Sequence, residues 1–550
     1  MLSEAQRAAL AERLRRGRAD TAGHAAVDQI RPRTGGRAEE QQLPLSYGQE
    51  QLWFLDRLAG GLGAYNVPQA LRLSGPLDTE ALGRALTGLV ARHEALRTRL
   101  AAGSGDRPVQ VIDEPRPVSP ELVDLSGFPA DEQSKRLGEL MDVESVRPFA
   151  LAAEPLLRTW LIRLATAAPA PTAPAVAQPP VANTAPVANT APAPAAPALS
   201  QPPVANTSEH VLLVVAHHAV FDGWSARLLL GELAALYARE AGPPGDRAAG
   251  LADLPVQFAD YALWERARLE DPAVLAELTD YWRTTLEGAE TLQFPTDQPR
   301  PVVEDFAGRL AHRMTDRALL DELRALSRRA GTTLFVTLMA GLQSVLHRYT
   351  GQTDITVGTV TASRDRAELA PLIAFLVTTL PVRGDLAGDP PFAELVARLR
   401  DATTGAYAHQ DLPFGKLVET LRVERDPGRS PVFQVLFTYA ERDLPPVRAA
   451  GVEFALTDLV VGINAAKFDL DFLAEARPDG LWFECSYKTG LFEPATVDRL
   501  LGHLEVLLRG AVADPTARLS ELPLLTPAER HAELVTWNDT SGEVPAIGTH

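Results

Sequence analysis

The sequence predicts an α/β protein built as two lobes with a cleft between them. Three observations point that way. Segments of helical period and short, strand-like apolar runs occur in both halves of a 550-residue chain, which is long enough for more than one core. A turn-rich stretch near 288–308, containing FPTDQPRP, separates those halves. One unit, VLLVVAHHAVFDGWS at 211–225, gathers polar residues at a strand-to-helix corner, where side chains are held rigidly and still reach a cleft.

The elements follow in order. Residues 3–17 have helical spacing, with Ser3 and Gln6 placed as a capping box, and 19–43 are polar and Gly/Arg-rich like a linker. Ordered protein starts at Leu45, where LSYGQEQLWFLDRL suits a helix. A strand at 70–73 precedes the Gly75-Pro76 turn, and 79–98 make an amphipathic helix through Leu82, Leu86, Leu89, Val90 and Leu96. The end of that helix, RHEALRT at 92–98, is dense in charge and reads by itself as a solvated end with local ion pairs. Residues 165–207 are Ala/Pro-rich and repeat QPPVANT at 178–184 and 201–207. Such proline density supports neither ladder nor helix, so the stretch reads as a disordered or polyproline-like insert without a catalytic role. Once it is looped out, the strand-like runs 159–164 and 211–216 pair. Aromatic helical segments occupy 254–287. The second half reads as helices at 316–330 and 333–349, then strands at 355–361 and 375–382. A helix at 392–410 and a Pro-Phe turn at 413–414 come next, followed by strands at 432–439, 470–474 and 481–487 and a closing helix at 494–513.

Composition narrows the function. Hydrophobic residues at 46% and charged residues at 23% are ordinary for a globular protein, and a formal charge of -18 argues against a nucleic-acid partner. The one cysteine, Cys485, leaves no disulfide framework and no cysteine-based metal site. No run of about 18 apolar residues suggests a membrane span. The N-terminus, MLSEAQRAALAERLRR, is too charged for a signal core, so a cytoplasmic protein with no membrane partner is expected.

At the corner itself, six apolar residues run into His217 and His218, followed by Asp222 and Gly223. Ser225 suits the N-cap of a helix whose leucines at 228, 229, 230, 233 and 236 share a face. If the turn after the strand is tight, the two imidazoles point in different directions, because strand side chains alternate, and one can face the cleft while the other faces structure. A neutral imidazole facing the cleft can take a proton from an amine or hydroxyl near neutral pH. Asp222 can orient an imidazole or pair with a distant arginine. For a single histidine, a satisfied polar corner is the plainer account; two histidines followed by Asp-Gly shift the balance towards chemistry.

This pattern, HHxxxDG, resembles the signature of condensation domains of nonribosomal peptide synthetases, with related forms in chloramphenicol-acetyltransferase-like acyltransferases. Six further stretches extend the resemblance over about 44–525. Gln49, Leu52, Trp53 and Leu55 match the family's first motif, and RHEALRT at 92–98 the second. Asp260-Tyr261-Ala262 with Trp264 is similar to the fourth and IAFLVTTLPVR at 373–383 to the fifth. His409-Gln410-Asp411 with Pro413-Phe414 is similar to the sixth, and Arg425-Asp426 through Ser430-Pro431-Val432-Phe433-Gln434 to the seventh. Ala374, Thr378 and Gly415 stand where the family usually has Gly, Asn and Glu, which touches substrate details rather than reaction class. The stretch 522–540, LPLLTPAERHAELVTWNDT, resembles the linker leading to an adenylation domain, implying a piece of a longer synthetase.

The resemblance implies two chloramphenicol-acetyltransferase-like lobes in a V-shaped pseudo-dimer with a central tunnel. Residues 44–287 would form the N-terminal lobe and 288–525 the C-terminal lobe, with a helix and linker at 1–43 and a linker at 526–550. It implies an acyltransferase that forms amide bonds between groups carried on the phosphopantetheine arms of donor and acceptor peptidyl carrier proteins. An adjacent adenylation domain is a further implied partner, and the domain itself binds no cofactor or metal. His218 would stand nearest the reaction, removing a proton from the attacking amine or positioning that amine. Gly223 would offer a backbone N–H, or simply space, near the thioester oxygen. His217 and Asp222 would be structural, Asp222 pairing with Arg364 of the second lobe, while Trp224, Ser225 and Thr378 would line the tunnel. An inactive recruitment module and an acyltransferase with a soluble acceptor are the alternatives; the intact HHxxxDG argues against the first and the linker-like tail against the second. The Gly-Trp-Ser after Asp222 resembles peptide-bond-forming rather than epimerising members, and heterocyclising members carry aspartates in place of the histidines. Tyr65-Asn66 and the Trp224 context resemble members that take L-configured donors.

Overall fold

A computed structural model describes residues 29–33, 43–58, 63–103, 107–165, 209–242, 250–303, 306–421, 426–441, 444–457 and 465–539. The expected helix at 3–17, most of the 19–43 linker and the insert beyond Ala165 lie outside the described residues.

The first half runs β1 (Leu43–Pro44), α1 (Tyr47–Leu58), β2 (Asn66–Ser74), α2 (Thr79–Arg92), β3 (Thr98–Ala102), β4 (Pro108–Ile112) and β5 (Glu121–Asp124). It continues through α3 (Ala130–Val146), β6 (Leu157–Leu164), β7 (Glu209–His217), α4 (Gly223–Ala241), α5 (Phe258–Glu270) and α6 (Pro272–Leu286). The second half opens with β8 (Gly308–Met314), α7 (Arg317–Arg329), α8 (Leu334–Thr350), β9 (Asp354–Thr361), β10 (Thr378–Asp385), α9 (Phe392–Ala408) and α10 (Phe414–Leu421). It ends with β11 (Val435–Glu441), β12 (Val447–Ala449), β13 (Val452–Leu456), β14 (Leu470–Arg477), β15 (Gly480–Lys488) and α11 (Pro494–Ala513).

These strands build two six-stranded sheets, β12-β13-β2-β7-β6-β5 and β10-β9-β11-β14-β15-β8, and a small sheet β1-β4-β3. β6 and β7 pair antiparallel with Leu164 opposite Glu209, so the chain on either side of the insert joins one ladder. The second half reaches back: β13 pairs with β2, and β12 with β13, completing an edge of the first sheet. On the first sheet, α2 and α4 cover one face, where Leu71, Leu212 and Val214 meet Leu86 and Leu230. Val211, Leu213 and Val215 face the other way, in a core that also takes Leu369, Leu372 and Leu376 from the second half. The second sheet buries Leu470, Phe472, Phe483 and Cys485 against α7, α8, α9 and α11, which leaves its opposite face free to line a cavity.

Several boundaries differ from the sequence expectation for local reasons. α2 stops at Arg92 because His93 is extended (φ -105°, ψ 105°), and 94–97 form a 3-10 turn. RHEALRT is not a solvated end: His93 is buried and lies 2.7 Å from Glu232, and Arg33 ties Glu94 to Asp260. β11 starts at Val435 rather than 432 because Val432 is left-handed (φ 69°), a conformation no strand can continue through. Pro413-Phe414 opens α10 instead of making a free turn. By contrast α8 ends against a left-handed Gly351, and α11 occupies the expected residues.

Candidate functional site

β7 ends at His217 and the chain turns at His218, which gives the two histidines different surroundings. His217 is 1% exposed; its Nδ1 accepts from the Ala219 N–H at 3.2 Å and the Phe149 ring stands edge-on to it. His218 begins a 3-10 turn and faces a cavity of about 1110 Å³. Its Nδ1 lies 2.7 Å from the Phe221 carbonyl, an acceptor, so Nδ1 carries the hydrogen and Nε2 keeps a lone pair. Phe375 packs edge-on against the ring at 4.9 Å. Burial, then the nearby Lys467 ammonium, pushes His218 down to about 3; burial, His218 and Lys467 do the same to His217.

The corner is locked from behind. Asp222, not Ser225, is the N-cap of α4, and Ser225 is the third helical residue of a capping box. The reason is geometric: Asp222 is extended (φ -131°, ψ 177°) and its Oδ1 accepts from the Ser225 N–H at 2.9 Å and hydroxyl at 2.7 Å. Ser225, expected along the tunnel, is instead fully buried and accepts from the Ala374 N–H at 3.2 Å. Arg364 meets both Asp222 oxygens at 2.9 Å and donates to the carbonyls of Leu369 and Leu372. Leu376 N–H completes the set on Oδ2. Ser363, beside Arg364, is held at φ 46°, a left-handed strain of about 1–2 kcal/mol that the surrounding contacts sustain.

The cavity is lined from both halves. His218, Gly223 and Trp224 meet Phe375 and Thr378 there, so four of the named residues share one space. Gly223 opens α4, and a Cβ added to it would meet no atom within 4 Å, so the protein's own packing does not require glycine. Trp224 is 43% exposed and donates from Nε1 to the Ala370 carbonyl at 3.1 Å.

Two motif residues whose roles the sequence leaves open act as struts. The Gln49 side chain, fully buried, donates to the Ala219 carbonyl at 3.1 Å and so braces the turn after His218. His93 Nδ1 accepts from Ile373 N–H at 3.2 Å, anchoring the segment that ends in Phe375. Lys467 and Asp471 also line the cavity, and no motif in the sequence singles them out. Their one signal is charge at 467, 469 and 471 interleaved with core-facing Leu470 and Phe472.

Comparisons with known proteins give the family and the fold. The family model described as the condensation domain matches residues 39–168 and 204–534. The chain is 40% identical over 512 residues to a linear gramicidin synthase of Brevibacillus parabrevis, covering 92% of this chain but 9% of that protein. Among solved structures, the X-domain in complex with OxyB from teicoplanin biosynthesis is 27% identical, with a TM-score of 0.72 over 90% of this chain and 98% of that one. The first condensation domain of the calcium-dependent antibiotic synthetase, at 20% identity and a TM-score of 0.67 over 88% and 99%, shares the fold. The family match spans both halves and pauses only across the Ala/Pro-rich insert, and the chain therefore belongs to the condensation domains of nonribosomal peptide synthetases.

Proposed function

We propose that the chain is an acyltransferase that joins a donor acyl or peptidyl thioester on one carrier protein to the amine of an aminoacyl group on a second. The observation that carries this reading is the neutral His218 lone pair, presented at the wall of a cavity that both halves build. The amine nitrogen attacks the thioester carbon, the C–N bond forms, the C–S bond breaks, and the proton lost by nitrogen ends on the departing sulfur, giving an amide and a free thiol. With its proton affinity held so low, His218 suits accepting a hydrogen bond from the amine and orienting it more than storing a proton before attack. Gly223, at the positive end of the 19-residue α4, suits a developing oxyanion and leaves room for it. His217, Asp222 and Arg364 act as structural supports, and Trp224 and Thr378 as cavity lining.

The same reading takes two chloramphenicol-acetyltransferase-like lobes in a V, one phosphopantetheine arm entering from each side, and an adenylation domain as neighbour. The division into lobes at 44–287 and 288–525 goes with it, with β12 and β13 crossing between them.

The test is reconstitution with one donor-loaded and one acceptor-loaded carrier protein, followed by intact-protein mass spectrometry. Mass gain on the acceptor, absent with His218→Ala, is expected. The likeness to an X-domain in complex with OxyB favours a second reading, a partner-recruiting module; carriers that bind but never exchange an acyl group with any of several donors would select it.

A further inference from the structure

Two charged side chains in the cavity wall have no contact assigned in the reaction described above, although the Lys467 ammonium acts through space on His218. Asp471 is the second residue of β14. Its neighbours Leu470, Phe472 and Ala474 enter the core of the second sheet, so Asp471 turns the other way, into the cavity. Lys467, four residues earlier, lines the same cavity with its ammonium 4.7 Å from the centroid of the Tyr65 ring. Tyr65 directly precedes Asn66, which pairs with His217 across β2 and β7, so the ammonium stands beside the strand end that carries His218.

Among the described residues, no hydrogen bond or ion pair reaches the Lys467 ammonium or the Asp471 carboxylate; the two attract each other without touching. Charges withdrawn from water are costly unless paired and hydrogen-bonded. Lys467 and Asp471 are partly buried and face the cavity, so two opposite, separated charges there offer a polar ligand both a donor and an acceptor. Burial pushes Asp471 up to about 6 and lowers Lys467; each stabilises the other's charge, and Glu484 opposes ionisation of Asp471.

We propose that Lys467 and Asp471 form a recognition site for the α-aminoacyl head of a carrier-bound thioester: the Lys467 ammonium donates to the acyl carbonyl and the Asp471 carboxylate accepts from the α-nitrogen. This rests on the condensation reading, which brings such a head into the cavity. In an aminoacyl group the α-nitrogen and the carbonyl sit on adjacent carbons, so one head meets both charges. An acyl chain without the nitrogen leaves Asp471 unanswered. Donor and acceptor both carry this chemistry, and the test separates them.

The full chain is titrated calorimetrically with a stable aminoacyl-pantetheine analogue, its thioester replaced by an amide, and with the same analogue lacking the α-amine. The aminoacyl form is expected to bind about tenfold tighter, and Lys467→Met and Asp471→Asn each to weaken it about tenfold, from the loss of one charged hydrogen bond. Asp471→Asn, isosteric, should bring the two analogues close together, and unchanged Tm shows that the fold is kept. Equal affinity of the wild-type chain for both analogues, or wild-type affinity in both variants, would overturn the site. In turnover, a raised donor-carrier KM that disappears with des-amino donors assigns the site to the donor. A raised acceptor-carrier KM with either donor assigns it to the acceptor. If the wild-type chain discriminates between the analogues yet transfers nothing, the condensation reading fails and the recognition site stands.

Discussion

Arg364 holds both oxygens of Asp222 at 2.9 Å although 142 residues separate them in the chain. Both side chains are almost wholly out of water, at 2% and 0% exposure. The pair therefore staples the end of β9 to the N-terminus of α4, directly behind the turn that carries His218. Removing one partner leaves a buried charge without its counter-ion, at a cost of about 3–5 kcal/mol. Asp222→Asn and Arg364→Leu are each expected to lower the unfolding midpoint. Because both break the same contact, the double variant should lose less than the sum of the two. Urea titration of the four proteins checks this; additive losses would remove the pair as a unit.

Gly223 separates packing from chemistry. A Cβ there meets nothing in the protein, so Gly223→Ala should leave Tm unchanged. It would nevertheless occupy the cavity beside His218, and a displacement of about 1 Å in a reacting group costs on the order of a hundredfold in rate. Transfer by the variant, followed on loaded carriers, should fall by about that factor. Wild-type rates would show that substrate does not approach this point.

The buried His217 makes stability depend on pH. His217 titrates near 6.5 when unfolded and is pushed down to about 3 when folded, mainly by burial. Its contribution is therefore fully present above about pH 6.5 and is lost as the pH falls towards 3, because only the unfolded chain takes up the proton. Between pH 7 and pH 5 the loss is about 1–2 kcal/mol for this one group. Replacing it by a neutral residue, His217→Gln, should flatten that part of the stability–pH curve. An unaltered slope would show that His217 is charged or exposed in the folded chain.

Gln49 braces the same turn from α1. Gln49→Leu leaves the buried Ala219 carbonyl without its donor, a cost of about 1–3 kcal/mol. The expected signature is reduced stability together with a lower transfer rate, since His218 precedes Ala219. Loss of stability with an unchanged rate per folded molecule would show that the brace does not position the imidazole.

How much of this was legible in the sequence depends on range. Apolar periodicity located α11 and the pairing partners β6 and β7, because these are properties of neighbouring residues, whereas His218 departs from His217 because the strand ends there and a 3-10 turn begins. Local backbone conformation moved the boundaries: an extended His93 ends α2 and a left-handed Val432 delays β11, and neither angle is fixed by composition. Asp222 took the capping role from Ser225 because its side chain answers the backbone N–H of Ser225 and Arg364 at once.

The sequence by itself determined the α/β character, the corner at 211–225 and the family resemblance, since these lie in short stretches of residue type and spacing. Only the tertiary structure decided which charges share the cavity. The return of β12 and β13 to the first sheet, the burial of RHEALRT, and the placing of Lys467 beside Tyr65 depend on contacts between residues far apart in the chain. The physical reason is that burial and electrostatics are set by what surrounds a side chain in space, while sequence pattern records mainly what adjoins it along the backbone.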